Sequence, residues 1–450
     1  MINIFSRNFI ALTSLLFFYT SVSAQKKNNS PLPFDKIRQS VYADSARLTS
    51  IFIDIHQNPE LGFMETRTSA IITKELKTLG YDVISDIGIT GLAGIMKNGN
   101  GPVVMYRADM DALPVKEATN LHYASTKIGK KYDGTEVPVM HACGHDAHVT
   151  WMLGVAKIMA SMKSQWKGTL VFIAQPAEEI GRGADSMIGD RMYERGVPIP
   201  DFVFGMHTIP LALGSIENVA GSRMAGADFF DITFHGVGGH GSAPQLAKDP
   251  IIMAATAILN YQTIVNRSLS PLSPHVLTVG SVIAGTANNV IPPSSLVKLG
   301  IRWFTQSDRD LMINGINRVD SSIAFANNLP ADLYPTISRK GGAPTVKNDS
   351  AMVLKINTAL AKIFPDKIIA NALPMLASED FPALIINSKK NAIYDYMFVG
   401  TADPVLSLKA NNEGKRYPFY WHNPDYVVDI RAIPLGTMIG AISLMEMFRK

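Results

Sequence analysis

The first half of the chain alternates short apolar runs with segments that have helical spacing. The apolar runs cover residues 91–96, 103–106, 170–174 and 202–206. The helical segments cover residues 35–57, 64–79 and 145–161. Continuous apolar runs separated by helices are typical of strands that are buried on both faces of a parallel sheet. The pattern therefore predicts an α/β fold with a mostly parallel central sheet flanked by helices.

The middle of the chain has a different pattern. Four segments alternate between apolar and polar positions, at residues 229–234, 275–283, 296–304 and 333–339. Two helical stretches lie among them, at residues 250–265 and 307–325. The order strand, helix, strand, strand, helix, strand predicts a small α+β unit of ferredoxin-like type. We therefore expect residues 223–338 to form a domain inserted into a larger, discontinuous domain of residues 31–222 and 339–450.

The N-terminus has the pattern of a secretory signal. Arg7 precedes an apolar stretch over residues 9–19, and small residues end at Ala24 before the polar Gln25. This pattern predicts a signal peptide at residues 1–24 and export to a periplasm or out of the cell. An uncleaved anchor would need roughly 20 apolar residues, and the stretch is shorter. We therefore expect no stable membrane anchor.

Composition narrows the choice of partner. The chain has 450 residues, of which 47% are hydrophobic and 18% charged, and its formal net charge is +4. So small a charge, without a long basic run, gives no electrostatic support for binding nucleic acid. We therefore expect a small-molecule substrate. The single cysteine, Cys143, cannot form an internal disulfide, so it is inert, reactive or bound to metal.

Polar side chains follow three of the predicted strands and begin one helix. They are Asp109 and Asp111, Glu178 and Glu179, His207, and at the helix start Cys143 and His145. Ligands gather at the carboxyl ends of strands in an open α/β sheet, because loops from several strands meet there. Sulfur, imidazole and carboxylate donors suit zinc, manganese or cobalt. A helix N-terminus and a metal would both lower the pKa of the Cys143 thiol.

Eight motifs, spread in order over nearly the whole chain after the signal, carry a family resemblance. They are DIHQNPELG (54–62), YRADMDALP (106–114), MHACGHDAH (140–148), QPAEE (175–179), GMH (205–207), GGHGSAP (238–244), NVIP (289–292) and SEDF (378–381). The sequence resembles the M20 metallopeptidases. Within them it is most similar to the amidohydrolases that include hippurate hydrolase, N-acyl-amino-acid deacylases and plant auxin-conjugate hydrolases.

The resemblance implies a centre of two divalent metal ions, manganese, zinc or cobalt. It assigns five ligands, with the sulfur bridging the two ions: Cys143, His145, Glu179, His207 and His422. It makes Glu178 the general base that takes a proton from the attacking water and returns it to the leaving amine. Asp111 would orient a metal ligand from outside the coordination sphere.

The resemblance also implies that the inserted domain acts as a lid and as the contact of a homodimer. His240 would stabilise the developing oxyanion, often in the partner subunit. Asn289 and Arg302 would bind the free carboxylate of the substrate, since a guanidinium pairs well with a carboxylate. A surface ion pair is the other interpretation of Arg302. A dinucleotide site at residues 236–241 is disfavoured, because prolines interrupt the helix start that it needs.

These residues together predict hydrolysis of the amide bond of N-acyl amino acids. A dipeptidase or carboxypeptidase of the same family is the nearest alternative, because the same metals and lid can cleave peptide bonds. An inactive binding protein is the alternative from another class, although every predicted ligand position holds a competent side chain. A further hypothesis makes Cys143 the nucleophile of a cysteine amidase.

Overall fold

The computed structural model describes residues 32–386, 388 and 390–449. The predicted signal peptide, residues 1–24, lies outside the described residues, so export stays a prediction. Within the described part of the chain, no helix is both long and apolar enough to cross a membrane.

The helices predicted in the first half of the chain are present, with ends that differ from the prediction by at most two residues. The helices are α1 (Phe34–Gln57), α2 (Thr66–Thr78), α3 (His145–Ser161), α4 (Gly183–Gly189), α5 (Pro250–Thr263), α6 (Gln306–Ala326), α7 (Ser350–Leu360), α8 (Ala383–Ile386), α9 (Pro404–Asn412) and α10 (Ala432–Phe448). Helix α5 continues into one π-helical turn, Ile264–Ser268.

The strands fall into one large sheet, one four-stranded sheet and several two-stranded ribbons. They are β1 (Asp82–Ile87), β2 (Gly91–Asn98), β3 (Val103–Asp109), β4 (Ile128–Lys130), β5 (Glu136–Pro138), β6 (Gly168–Gln175), β7 (Phe202–Ala212), β8 (Ile216–Glu217), β9 (Gly221–Met224), β10 (Gly226–His235), β11 (Gly239–His240), β12 (Val276–Ala284), β13 (Val290–Ile291), β14 (Ser294–Trp303), β15 (Thr336–Ala343), β16 (Val346–Asn348), β17 (Ile368–Ile369) and β18 (Ile393–Ala402).

The large sheet has eight strands in the order β1-β2-β6-β3-β7-β18-β8-β17. Its central pairs, β6 with β3, β3 with β7 and β7 with β18, are parallel, which confirms the predicted fold class. Strand β2 is an exception, because it pairs antiparallel with β6. The sequence predicts a parallel strand at residues 91–96. That prediction was wrong, because a run buried on both faces is apolar whether the neighbouring strand is parallel or antiparallel. The parallel centre brings the carboxyl ends of β3, β6 and β7 to one edge.

Helices cover both faces of the large sheet. On one face α1, α3 and α10 pack together around side chains such as Phe52, Trp151 and Ile439. On the other face α4 and α8 bury Met187 and Leu384. Helix α3 is buried around most of its circumference, as expected for a helix held between a sheet and other helices. Its N-terminal end is therefore fixed against the edge of the sheet.

The four-stranded sheet is antiparallel, with the order β12-β14-β10-β15. Helices α5 and α6 cover one face, where Phe230, Ile232 and Phe234 are buried. Phe229 and Asp231 alternate with them toward the opposite face. The chain order β10-α5-β12-β14-α6-β15 and this strand order are those of a ferredoxin-like unit, as predicted. We call the unit from β10 to β15 the lid.

The chain enters and leaves the lid at neighbouring places. Strand β9, just before the lid, pairs antiparallel with β16, just after it. The predicted boundary at residue 338 falls inside β15, whose pairing with β10 continues to Ala343. Gly341 and Gly342 weaken the strand pattern there, since glycine in a strand has no side chain to pack. The lid therefore extends beyond the boundary predicted from the sequence.

Candidate metal centre and active site

The edge formed by the ends of β3, β6 and β7 collects the predicted metal ligands. Glu179 follows β6, and His207 lies within β7. Cys143 and His145 come from the start of α3. His422 comes from the loop before α10, where its backbone N–H donates a hydrogen bond to the carbonyl oxygen of Ala142 (2.8 Å).

The structure brings all five predicted ligands together. The Cys143 Sγ atom lies 3.5 Å from His207 Nε2, and His422 Nε2 lies 3.2 Å from Glu179 Oε2. Cys143 belongs to two groups of donors, each with its ligand atoms within 4.8 Å of one another. One group adds His145 and His207, and the other adds Glu179 and His422. Two donor groups that share a sulfur have the arrangement expected for two adjacent metal ions.

Hydrogen bonds decide which imidazoles can bind metal. His207 Nδ1 lies 2.6 Å from the backbone oxygen of Thr208, so it carries the proton and leaves the Nε2 lone pair free toward Cys143. His148 Nε2 accepts a hydrogen bond from the Thr208 N–H (2.9 Å), so its Nδ1–H donates to Asp109 Oδ1 (2.5 Å). Both nitrogens of His148 are therefore engaged. His148 supports the centre and is not a ligand.

Thr208 connects several parts of the centre. Its hydroxyl donates to the backbone oxygen of Cys143 (2.8 Å) and accepts from the Tyr426 hydroxyl (2.7 Å). Its carbonyl oxygen accepts from the Trp421 indole (3.2 Å) as well as from His207. This role could not be predicted from the sequence, because a threonine within an apolar strand matches no ligand pattern.

Asp111 lies where it can hold the two glutamates and a histidine in place. Its carboxylate accepts hydrogen bonds from the backbone N–H groups of Glu178 (3.1 Å) and Glu179 (3.0 Å). Its Oδ1 atom also lies 3.3 Å from His145 Nδ1. The side chain touches ligand-bearing residues from outside the donor groups. This geometry suits the orienting role that the resemblance implies.

Left-handed backbone conformations occur beside the candidate ligands. Ala177, next to Glu178, has φ 50°, and His422 itself has φ 63°. Gly144, between Cys143 and α3, has φ 84°, and a Cβ atom there would lie 2.6 Å from the Thr208 hydroxyl. Non-glycine residues in this region cost about 1–2 kcal/mol each. The fold therefore accepts local strain in order to direct these side chains into one centre.

The centre carries an excess of negative charge. Burial raises the pKa of Glu179 to about 8, with a further rise from Asp111, while His145 opposes it. Burial and the carboxylates of Glu379 and Glu179 raise the pKa of Glu178 well above its usual range. For His145, burial alone would lower the pKa, but surrounding carboxylates raise it to about 10. Such clustered carboxylates call for positive charge.

The pKa of Cys143 differs from the expectation. Burial and the neighbouring Glu179 and Glu178 raise it well above the usual value of a thiol. The sequence predicts that the helix N-terminus and a bound metal lower this pKa, and without a bound cation burial and the neighbouring carboxylates have the larger effect. A divalent cation at this place supplies the charge that favours a thiolate. The thiol is therefore not an activated nucleophile by virtue of the protein alone.

The donor set fits divalent metal ions. Among the described residues, neither His145 Nε2 nor Glu179 Oε1 has a hydrogen-bond partner, although both atoms are buried. Buried polar atoms normally have partners, and a metal cation would supply one to both of these atoms. Sulfur, imidazole and carboxylate together suit zinc, manganese or cobalt. The identity of the metal is left open by these donors.

A buried network that the sequence did not predict lies behind the two glutamates. Arg107 forms ion pairs with Asp109 (2.6 Å), Glu379 (2.8 Å) and Asp380 (3.1 Å). The Tyr396 hydroxyl donates to Glu379 at 2.5 Å. Residues 378–381 were recognised only as a motif, because nothing in their local sequence indicates that they meet a buried arginine. The network holds residues 378–380 in place, and these residues line the cavity described next.

A cavity of about 340 Å³ opens in front of the donor groups. Glu178 and the donors Cys143, Glu179, His207 and His422 line it. Arg302 of the lid also lines it, and its Nη1 atom donates to the Ser378 hydroxyl at 2.5 Å. Among the described residues no carboxylate pairs with Arg302, which differs from the surface ion pair considered as the alternative.

His240 and Asn289 lie together, but away from this cavity. His240 is on β11, whose partner β13 directly follows Asn289, and the Gly241 N–H donates to the Asn289 backbone oxygen (2.8 Å). Both side chains are exposed. Neither lines the cavity of the same chain. Their catalytic and substrate-binding roles therefore stay predictions.

His56 takes part in a separate buried network. Its Nδ1 atom lies 2.6 Å from Asp146, and its Nε2 atom lies 3.2 Å from Glu117. Burial would lower the pKa of His56, but these two carboxylates raise it to about 9. Asp146 is the residue after His145. This geometry makes His56 a structural histidine, and the network helps to fix the start of α3.

Comparison with known proteins gives a consistent result. Residues 105–414 match the family described as Peptidase family M20/M25/M40. The chain is 40% identical over 332 residues to hippurate hydrolase of Campylobacter jejuni subsp. jejuni serotype O:2, covering 73% of this chain and 82% of that protein. It is 34% identical over 397 residues to IAA-amino acid hydrolase ILR1-like 2 of Arabidopsis thaliana, covering 88% and 84%.

The fold is also similar to solved structures. One is the YXEP protein of Bacillus subtilis, a dinuclear metal-binding peptidase from the M20 family, with a TM-score of 0.71 and 28% identity. The similarity covers 90% of this chain and 99% of that one. The length of these matches, the identity and the two donor groups lead to the same family. The chain belongs to peptidase family M20/M25/M40, a dinuclear metal-dependent family, and is an amidohydrolase.

Proposed function

We propose that the protein hydrolyses the amide bond of N-acyl amino acids and releases a carboxylic acid and a free amino acid. The observation that carries this proposal is the position of Arg302, a cation without a carboxylate partner among the described residues, which lines the same cavity as the metal donors. An N-acyl amino acid has a carboxylate next to the amide nitrogen. A substrate held by Arg302 therefore presents its amide toward Glu178 and the donor groups.

The surroundings of Arg302 favour an anion. Burial lowers the pKa of Arg302, but a guanidinium titrates so high that it stays charged. Its only hydrogen bond among the described residues is to a hydroxyl, which leaves its charge uncompensated. Arginine binds a carboxylate through two parallel hydrogen bonds, and this pairing distinguishes an amino-acid leaving group from a simple amine.

Glu178 is placed to move the proton. Its side chain is partly open to the cavity, and Oε2 lies 3.9 Å from His145 Nε2. When two divalent ions are bound, they polarise the amide carbonyl and lower the pKa of water. Glu178 Oε2 takes a proton from the attacking water and delivers it to the amide nitrogen as the bond to carbon breaks.

The rest of the cavity is largely apolar. Met224, Met375, Phe398 and Trp421 line it near the donor groups. Such a lining favours an apolar acyl group, since removing apolar surface from water contributes roughly 25 cal/mol per Å². The names of two relatives fit this proposal, because hippurate and IAA-amino acid conjugates are both acylated amino acids.

A homodimer completes the proposal. Strand β12 is an edge of the lid sheet, and Val282 and Ile283 on it are exposed, as is Leu259 on α5. An unpaired edge with apolar side chains is suited to pairing with another chain. Pairing two lids would carry His240 and Asn289 of one subunit toward the cavity of its partner.

We propose export through the N-terminal signal for the same protein, with no membrane anchor.

The test is a substrate panel with metal added back to stripped protein. N-acetyl and N-benzoyl amino acids should be hydrolysed in the presence of manganese, zinc or cobalt, and the matched amides without a carboxylate should react far more slowly. Arg302→Gln should raise KM for the acids about 10- to 100-fold, because a charge-assisted pair is lost. Arg318, an exposed arginine on α6, offers the control Arg318→Gln. Faster cleavage of dipeptides than of any N-acyl amino acid would favour the peptidase alternative.

A further inference from the structure

The cavity continues beyond Arg302 along the lid. A groove of about 460 Å³ runs over the open face of the lid sheet, and Phe229 and Arg302 line both this groove and the cavity at the metal donors. Thr278 and Lys298 line it further out. Phe229 is 40% exposed. An exposed aromatic ring where a groove joins a candidate active site indicates a surface for binding ligand.

Glycines keep the ring of Phe229 uncovered. Its cross-strand partners are Gly300 on β14 and Gly341 on β15. A Cβ atom at Gly300 would lie 3.2 Å from Cδ1 and 3.3 Å from Cε1 of Phe229, whereas a Cβ atom at Gly341 would meet nothing within 4 Å. The ring therefore leans over β14, the strand that carries Arg302. The guanidinium carbon of Arg302 lies 5.2 Å from the ring centroid.

We propose that Phe229 determines specificity by binding the side chain of the amino-acid half of the substrate. This inference rests on the proposed function, in which Arg302 holds the α-carboxylate. The side chain and the carboxylate are attached to the same carbon, so a carboxylate on Arg302 brings the side chain to the adjacent ring. Apolar and aromatic side chains gain contact area on the ring, and glycine gains none.

The groove limits neither the size nor the shape of that side chain. It is open on its outer side, and Gly280 and Gly300 contribute no side chains to its floor. Lys298, the lysine that lines it, already forms an ion pair with Asp231 (3.5 Å). The paired charge gives an acidic side chain little advantage. The preferred substrates are therefore N-acyl derivatives of large apolar amino acids.

The experiment compares N-acetylglycine, N-acetylleucine and N-acetylphenylalanine with the metal-loaded protein. Phe229→Ala should lower the ratio of kcat/KM for the leucine substrate to that for the glycine substrate about tenfold, chiefly through KM. Gly300→Ala should lower the same ratio by a smaller factor, because the new methyl group would lie 3.2 Å from the ring and shift it by a few tenths of an ångström. Gly341→Ala should keep the wild-type ratio. Phe325→Ala, which removes an 81% exposed phenylalanine elsewhere on the lid, should also keep it.

The possible outcomes distinguish a failure of this inference from a failure of the proposed function. If the wild-type protein cleaves N-acyl amino acids but the ratio is the same in Phe229→Ala, the specificity role is wrong and the proposed function stands. A change in Gly341→Ala equal to that in Gly300→Ala would also overturn the role, because it would reflect the strands and not the ring. If no N-acyl amino acid is cleaved by the metal-loaded wild type, both proposals fail.

Discussion

The sulfur of Cys143 lies 3.5 Å from Nε2 of His207, although 64 positions separate the two residues in the chain. One precedes α3 and the other lies in β7, and Thr208 ties them together by accepting from His207 and donating to the backbone of Cys143. The distance is within the range of a hydrogen bond that involves sulfur, and it also suits two atoms that bind one cation. The fold thus brings two predicted metal ligands from separate elements into contact.

Replacing Glu178 with glutamine should abolish turnover and leave metal binding intact. The amide cannot take up a proton, but Glu178 belongs to neither of the two donor groups that share Cys143. We expect kcat to fall at least about 1000-fold, in line with the loss of a general base. Metal content measured on the same preparation is the check. Loss of metal together with activity would make Glu178 a ligand instead of the base.

His240 should act across a dimer. Mixing inactive Glu178→Gln with inactive His240→Ala should restore activity, because a mixed dimer has one cavity with both residues intact. Random exchange of equal amounts should give about a quarter of the wild-type activity. The measurement is hydrolysis of an N-acyl amino acid before and after subunit exchange. Absence of recovery in a demonstrated mixed dimer would place His240 outside the reaction.

His148 and His422 should respond differently to substitution by alanine. His148→Ala removes the partners of the buried Thr208 N–H and of Oδ1 of Asp109, so the free energy of unfolding should fall by about 2–4 kcal/mol. His422→Ala removes a side chain that is 53% exposed, so the free energy of unfolding should fall far less. The protein should nevertheless lose metal. Urea unfolding and metal content distinguish them. A stable His148→Ala protein that has lost one ion would make His148 a ligand.

The sequence predicted the metal ligands better than the residues that hold those ligands in place. Cys143, His145 and Glu178–Glu179 belong to short motifs at strand ends and a helix start, and the regular alternation of elements places those ends on one edge. The roles of Thr208 and Arg107 could not be predicted from motifs, because their partners are distant in sequence. A polar residue in a strand does not by itself indicate which residue it contacts. The direction of β2 was missed for a similar reason, since apolar burial does not encode which way a neighbour runs.

The network around His56 should make stability depend on pH. The pKa of His56 is raised to about 9 in the folded protein and lies near 6.5 in an unfolded chain. Its charge therefore stabilises the fold fully below about pH 6.5, and this contribution is lost as the pH rises to about 9. The difference in melting temperature between wild type and His56→Gln should shrink over that range. A difference that is constant, or that grows with pH, would contradict the assignment of a charged His56.

The metal content of the purified protein tests the account most directly. Inductively coupled plasma mass spectrometry should find two divalent ions per chain in the wild type, and fewer in Cys143→Ala, because the sulfur belongs to both donor groups. Removal of the ions by a chelator should abolish hydrolysis, and manganese, zinc or cobalt should restore it. A wild-type protein that holds no divalent ion and still hydrolyses its substrate, with activity lost only on alkylation of Cys143, would contradict the account.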